Sequence, residues 1–275
     1  MAAPIALIAG EGALPVRLLQ VCAAQGRRVI VCGVFGHDRD LPRNDMPLRL
    51  ETLGTTLDEL KAHGVAEVCF CGAVQPPRID PALIDAATAP LVERMVGAVA
   101  AGGDDAALRI AIELFEDAGF YVRAATDLVP DLLPAEGVPS QARPSDAHGA
   151  DAGRAAAVVA GLGALDIGQG CVVRQGRVLA VEAAPGTDWM LQSLAAHAPA
   201  GQGGLLYKAP KPGQDRRVDL PAIGPATVRG AQAAGLDGIA IALGGVMVLD
   251  LPATVAEADA AGLFLWIRRG AQDTG

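Results

Sequence analysis

PIALIAGEGALPVRLLQVCAAQGRRVIVCGVFG, residues 4–36, alternates apolar runs with one helical stretch. Its first apolar run, IALIA, shows no polar alternation and reads as a strand buried on both faces. A glycine-bearing turn follows, then a helical stretch opening near Pro15, then a second run rich in Val and Ile. Strand, helix and strand in that succession make a βαβ unit, and a βαβ unit implies a parallel sheet. Working outward, TTLDELKAHG (55–64) predicts a helix with a threonine N-cap and a closing Gly64, and VAEVCFCGAV (65–74) a third strand. Helices over 81–100 and 104–120 and a strand at FYVRAA (120–125) complete a doubly wound α/β domain over residues 1–132.

The next stretch, PDLLPAEGVPSQARPSDAHG (130–149), carries four prolines and breaks all periodicity, so 133–149 reads as a linker. Residues 150–275 then form a second α/β domain with a mixed sheet. It holds a helix at 150–166, a hairpin over CVVRQGRVLAVEAA (171–184) turning at Gln175-Gly176, a helix at 189–198 and a strand at GGLLYKAP (203–210). A helix at 225–235, a second hairpin at GIAIALGGVMVLD (238–250), a helix near 254–262 and a strand LFLWI (263–267) follow.

Composition removes several functions. The 275 residues are 51% hydrophobic, ample for a large core, and the formal net charge is −9. That charge argues against a nucleic-acid binder, because neutralising phosphates along a backbone needs a basic face. No run of 18 apolar residues occurs, and MAAPIALIAGEGALP lacks the charged start of a secretory signal, so a cytoplasmic location is expected. The five cysteines sit in apolar runs and read as reduced core residues, Cys69 and Cys71 sharing one strand face. The four histidines form no triad or HxxxH pattern, and no GxSxG elbow is present, which turns attention to carboxylates and cations.

Four short segments carry candidate chemistry. Gly10 and Gly12 offer backbone amides at a helix start, a receptive place for phosphate, although the same turn serves equally as a ligand-free junction. Asp104 and Asp105 precede a helix and suit its cap as well as a site. Glu182, at the end of an apolar strand, needs a cation, a proton or water, and Thr187 and Asp188 follow at a helix start. The segment YKAPKPGQDRRVDLPAIG (207–224) concentrates Lys208, Lys211, Arg216 and Arg217, donors suited to phosphate oxygens. Its Asp215 and Asp219 are spaced to hold a divalent metal or a water beside those oxygens.

IALIAGEGALP (5–15), AGGDDAALRIAIELFEDAGF (101–120), PAEGVPS (134–140), LGALDIGQGCVV (162–173), VLAVEAAPGTDWML (178–191), KAPKPGQDRRVDLPAIGPATV (208–228) and ADAAGLFLW (258–266) resemble, in order and spacing, the LpxI-type UDP-2,3-diacylglucosamine pyrophosphatases. The resemblance implies an N-terminal Rossmann-like domain and a C-terminal catalytic domain with the lipid substrate held between them. It implies Mg²⁺-dependent water attack on the α-phosphorus, giving UMP and 2,3-diacylglucosamine 1-phosphate. On this resemblance Asp219 is the catalytic aspartate. From their chemistry Asp188, Lys208, Lys211 and Arg216 are expected to join it in catalysis, the three cations holding the diphosphate, and Asp219 and Asp188, with Glu182 or Asp215, are the metal candidates. Gly10, Gly12, Asp104, Asp105, Thr187 and Gln214 are the residues expected to contact the substrate. Pro185, where an acidic residue is common, and Trp189, in place of a small one, depart from the pattern. Such an enzyme is expected to touch the cytoplasmic face of the inner membrane through an apolar patch or a local basic cluster, and a homodimer is one assembly the reading leaves open. A nucleotide-sugar transferase and a non-enzymatic nucleotide or lipid sensor are the rival readings.

Overall fold

The structure is a computed structural model and describes residues 3–74, 79–95, 104–197 and 203–269, the side chains of 104–107 excepted. The chain forms two compact units, one of Met1–Pro130 with Asp215–Asp219, the other of Asp131–Gln214 with Leu220–Gly275.

In the first unit, β1 (Ile5–Ala9) lies between β2 (Val29–Gly33) and β3 (Glu67–Cys71), and β4 (Tyr121–Val122) extends the sheet beyond β3. All pairings are parallel. The apolar runs of the sequence explain this order: every residue of β1 and β2 is buried, as helices on both faces require. Ile8, Ile30, Leu57, Leu60, Val68 and Phe115 pack into one core. The helices Ala13–Ala24, Leu53–Ala62 and Asp104–Asp117 supply the crossovers. Leu53–Ala62 begins two residues earlier than its threonines suggest, and Thr52 at its start makes no side-chain cap. The stretch from Pro81 is likewise not one helix. It opens with two 3-10 turns, Pro81–Leu83 and Ala89–Leu91, where proline-bearing sequence and the Asp80 and Asp85 side chains bonding nearby amides interrupt a helix; residues 92–95 are helical, and 96–100 lie outside the described residues.

Gly10 is where two loops meet. A β-carbon there would overlap the Ala73 carbonyl, and the Gly10 and Glu11 amides donate to Cys71 and Ala73 carbonyls at 2.8 and 2.9 Å. Gly10→Ala is therefore expected to cost about 1–3 kcal/mol through forced overpacking, read as a lower urea midpoint at unchanged m-value.

In the second unit, five strands run in the order β11-β9-β7-β5-β6: β5 (Gly170–Arg174), β6 (Arg177–Val181), β7 (Leu205–Lys208), β9 (Gly238–Ala242) and β11 (Phe264–Arg268). β7, β9 and β11 are parallel, whereas β5 is antiparallel to both its neighbours, so the sheet is mixed. The β5–β6 hairpin turns through Gln175 (φ 50°) and Gly176 (φ 73°), and buried Asp151 accepts both of their amides, at 2.8 and 2.6 Å. Helices Asp146–Ala164, Gly186–His197, Pro225–Ala233 and Leu251–Ala261 belong to this unit.

Two expectations change here. GIAIALGGVMVLD is not a hairpin: β9 pairs with β7 and β11, and β10 (Met247–Val248) leaves to pair in parallel with β8 (Ala222–Ile223). Both flanks of β9 are already occupied, so β10 has no edge on which to fold back. Residues 133–149, read as a linker, belong to the second unit. Gly137 pairs with Ile267, buried Ser140 donates to the Ala142 carbonyl and accepts from the Leu265 amide, and Ser145 caps the helix that starts at Asp146. The prolines there shape an extended, packed strap.

Candidate active site

Chemistry-bearing side chains collect at one end of the mixed sheet. Lys208 ends β7, Gly170 opens β5 directly opposite it, and Glu182 follows β6 with its amide bonded to the Gly170 carbonyl at 2.8 Å. Thr187 stands in the first turn of Gly186–His197. The Lys208 ammonium donates to Thr187 Oγ1 at 2.5 Å and lies 3.3–3.4 Å from both Glu182 carboxylate oxygens. Only 5% of the Lys208 side chain and 12% of the Glu182 side chain are exposed, so this is a buried ion pair. The partner that Glu182 demands is Lys208.

Gly170 makes the arrangement sterically possible. A β-carbon at this position would sit 2.5 Å from Glu182 Oε2, so the carboxylate occupies the space of the missing side chain.

Lys211 belongs to the same loop region. Its Nζ is 2.6 Å from Asp166 Oδ1, and its amide donates to buried Gln214 Oε1 at 2.9 Å. Asp166 was missed by the sequence reading, and its left-handed φ of 54° just past a helix is not visible from composition. Asp188 is exposed in the helix's first turn, where a carboxylate also suits the helix dipole, and Trp189 beside it is exposed.

Asp215–Asp219 is part of the first unit by its packing. It forms a tight turn, with the Val218 and Asp219 amides directed at the Asp215 carbonyl, and Val218 packs against the first unit's core. Arg217 grips both oxygens of Asp215 and also pairs with Glu116 at 2.6 Å. That guanidinium holds the Asp215 carboxyl below the usual carboxylate range. Arg216 is exposed and Asp219 half-buried at the end of this turn.

Several expected roles narrow. Glu182 and Asp215, offered as metal ligands, are committed to Lys208 and Arg217, and among the described residues no three His, Cys, Asp or Glu side chains converge as a metal cage would need. The Gly12 amide donates to Asp40 Oδ2 at 3.1 Å, so with Gly10 and Glu11 already bonded, the glycine turn spends these amides inside the protein. The side chains of Asp104 and Asp105 lie outside the described residues, and only their backbone, at the start of Asp104–Asp117, is known. All five cysteines are unbridged and buried, and burial pushes the thiols of Cys32, Cys69 and Cys171 up to about 12, which fits inert core residues.

Fold and site together define a two-unit α/β protein with buried and half-buried cations at its strand ends. Comparison with known proteins makes the class specific. The LpxI N-terminal domain matches residues 4–132 and the LpxI C-terminal domain residues 135–266. The UDP-2,3-diacylglucosamine pyrophosphatase LpxI of Caulobacter vibrioides is 40% identical over 269 residues, spanning 95% of this chain and 96% of its own. The chain belongs to the LpxI family.

Proposed function

We infer that this protein hydrolyses UDP-2,3-diacylglucosamine to UMP and 2,3-diacylglucosamine 1-phosphate; its 40% identical relative is named a UDP-2,3-diacylglucosamine pyrophosphatase. The observation that carries the reading is the buried Lys208 ammonium, held beside Thr187 at one end of the mixed sheet. Hydrolysis of a diphosphate spreads negative charge over phosphoryl oxygens, so fixed donors and a positioned water matter more than a covalent intermediate. Lys208, Lys211 and Arg216 supply cationic donors, Thr187 and Gln214 neutral ones, and Asp219 is the carboxylate we assign to the water.

Mg²⁺ is part of the proposal. The residues suit an ion completed by substrate rather than an all-protein cage: Mg²⁺ commonly takes one or two carboxylates, with phosphates and waters filling its shell. Asp188 and Asp219 are the carboxylates we propose to hold it. When bound, it would neutralise charge on the phosphoryl oxygens.

We further propose a cytoplasmic protein that touches the inner membrane peripherally to reach its acylated substrate, with a homodimer as one possible assembly. No helix among the described residues is long and apolar enough to cross a membrane. The test is direct: purified protein, UDP-2,3-diacylglucosamine and Mg²⁺ are expected to yield UMP and the lipid 1-phosphate without an added acceptor. A requirement for an acceptor would indicate a transferase, and binding without turnover a sensor.

A further inference from the structure

We propose that Thr187 and Lys208 form a two-donor clamp for one phosphoryl group, and that Glu182 is the positioning residue that aims it. The inference deepens the hydrolase reading and rests on it for its substrate.

The argument is an accounting of donors. A threonine hydroxyl has one proton and two lone pairs, and an ammonium has three protons and no acceptor. Thr187 Oγ1 already accepts from Lys208 Nζ at 2.5 Å, so its own proton must point away from the lysine. Among the described residues that proton finds no acceptor. Lys208 directs its other contact toward the two Glu182 oxygens, which leaves a third N–H with no protein acceptor among the described residues. A buried donor without an acceptor is costly, and Lys208 is 4% exposed. Two unspent donors thus stand side by side on atoms 2.5 Å apart. Neighbouring oxygens of a phosphoryl group are spaced to accept from such a pair, and the ammonium's pull on Thr187 Oγ1 makes the hydroxyl a stronger donor.

Glu182 does not fit a ligand's role in this geometry. Its Oε2 is buried without a directed hydrogen bond, lies 3.3 Å from the Lys208 nitrogen and occupies the space that glycine leaves at position 170. The carboxylate acts on the substrate only through Lys208. It fixes the ammonium against Thr187 and balances its charge where both side chains are buried.

The experiment compares Thr187→Val, which keeps the shape and removes the hydroxyl, with Thr187→Ser, which keeps the hydroxyl. Loss of one such donor is expected to lower kcat about 10²–10³-fold in Thr187→Val, while Thr187→Ser recovers most of that loss, both variants melting near the unsubstituted protein. If Glu182 acts through the clamp, Glu182→Gln combined with Thr187→Val loses less kcat than the product of the two separate losses. A product of independent losses contradicts the positioning role. Binding of inorganic pyrophosphate, followed by calorimetry, supplies a readout without turnover and should weaken in Thr187→Val but not in Thr187→Ser. Turnover by the unsubstituted protein with kcat and pyrophosphate affinity retained in Thr187→Val overturns the clamp and leaves the reaction intact. Thr187-dependent pyrophosphate binding in a protein that leaves UDP-2,3-diacylglucosamine unhydrolysed supports the clamp and rejects the reaction.

Discussion

Asp219→Asn is expected to lower kcat for UDP-2,3-diacylglucosamine by about 10³-fold or more, near the upper range for loss of a positioned general base. The substitution nearly preserves size, removes the charge and the ability to take a proton, and puts an amide donor in place of one acceptor oxygen. Its setting is rigid: Val218 packs into the first unit's core, Arg217 ties Asp215 to Glu116, and the Asp219 amide is directed at the Asp215 carbonyl. A change at the end of so well-anchored a turn should leave the fold alone, and the melting temperature should stay close to that of the unsubstituted protein. Loss of kcat at unchanged stability would separate a chemical role from a structural one. Near-normal turnover in a folded Asp219→Asn protein would remove Asp219 from the reaction and return attention to Asp188.

Lys208→Met carries the largest expected effect on stability. It leaves Glu182, 12% exposed, without its cation, and breaking a buried pair from one side costs about 3–5 kcal/mol because the remaining charge is stranded. An exposed pair would cost about 1 kcal/mol or less, so the urea midpoint distinguishes the two situations. Adding Glu182→Gln should restore much of the lost stability, since the double variant strands no charge, yet it should not restore hydrolysis. A double variant as unstable as Lys208→Met would show that the lysine contributes by packing its stem. Recovery of turnover along with stability would show that the ammonium is dispensable to the chemistry.

The strands of the first unit were legible because a parallel sheet buried on both faces requires uninterrupted apolar runs, and IALIA and VIVCG are such runs. The β5–β6 hairpin was legible for a different reason: Gln175-Gly176 takes up the left-handed conformations that a tight turn demands. Pairing between distant strands left no local mark. Nothing in GIAIALGGVMVLD reveals that both flanks of β9 are already taken, so local pattern alone suggested a hairpin. Proline density misled at 133–149 because proline breaks helices as readily in a packed strap as in an open tether.

At the site, residue type was informative and partnership was not. Glu182 was recognisable as a carboxylate in need of a cation, and Lys208 as a cation at a strand end, yet 26 positions separate them and only the β5–β6–β7 register brings them together. Asp215 could not be told from a metal ligand without seeing the Arg217 fork close on it. Gly170 carried a signal that went unread: a glycine opening a buried strand marks a close approach, here that of a carboxylate.

In the proposed reaction water attacks the α-phosphorus of the diphosphate. Hydrolysis in ¹⁸O-labelled water, with the products separated and weighed by mass spectrometry, locates the oxygen that water delivers. One ¹⁸O atom per turnover is expected in UMP and none in 2,3-diacylglucosamine 1-phosphate; label in the lipid 1-phosphate instead would move the attack to the β-phosphorus and overturn the mechanism.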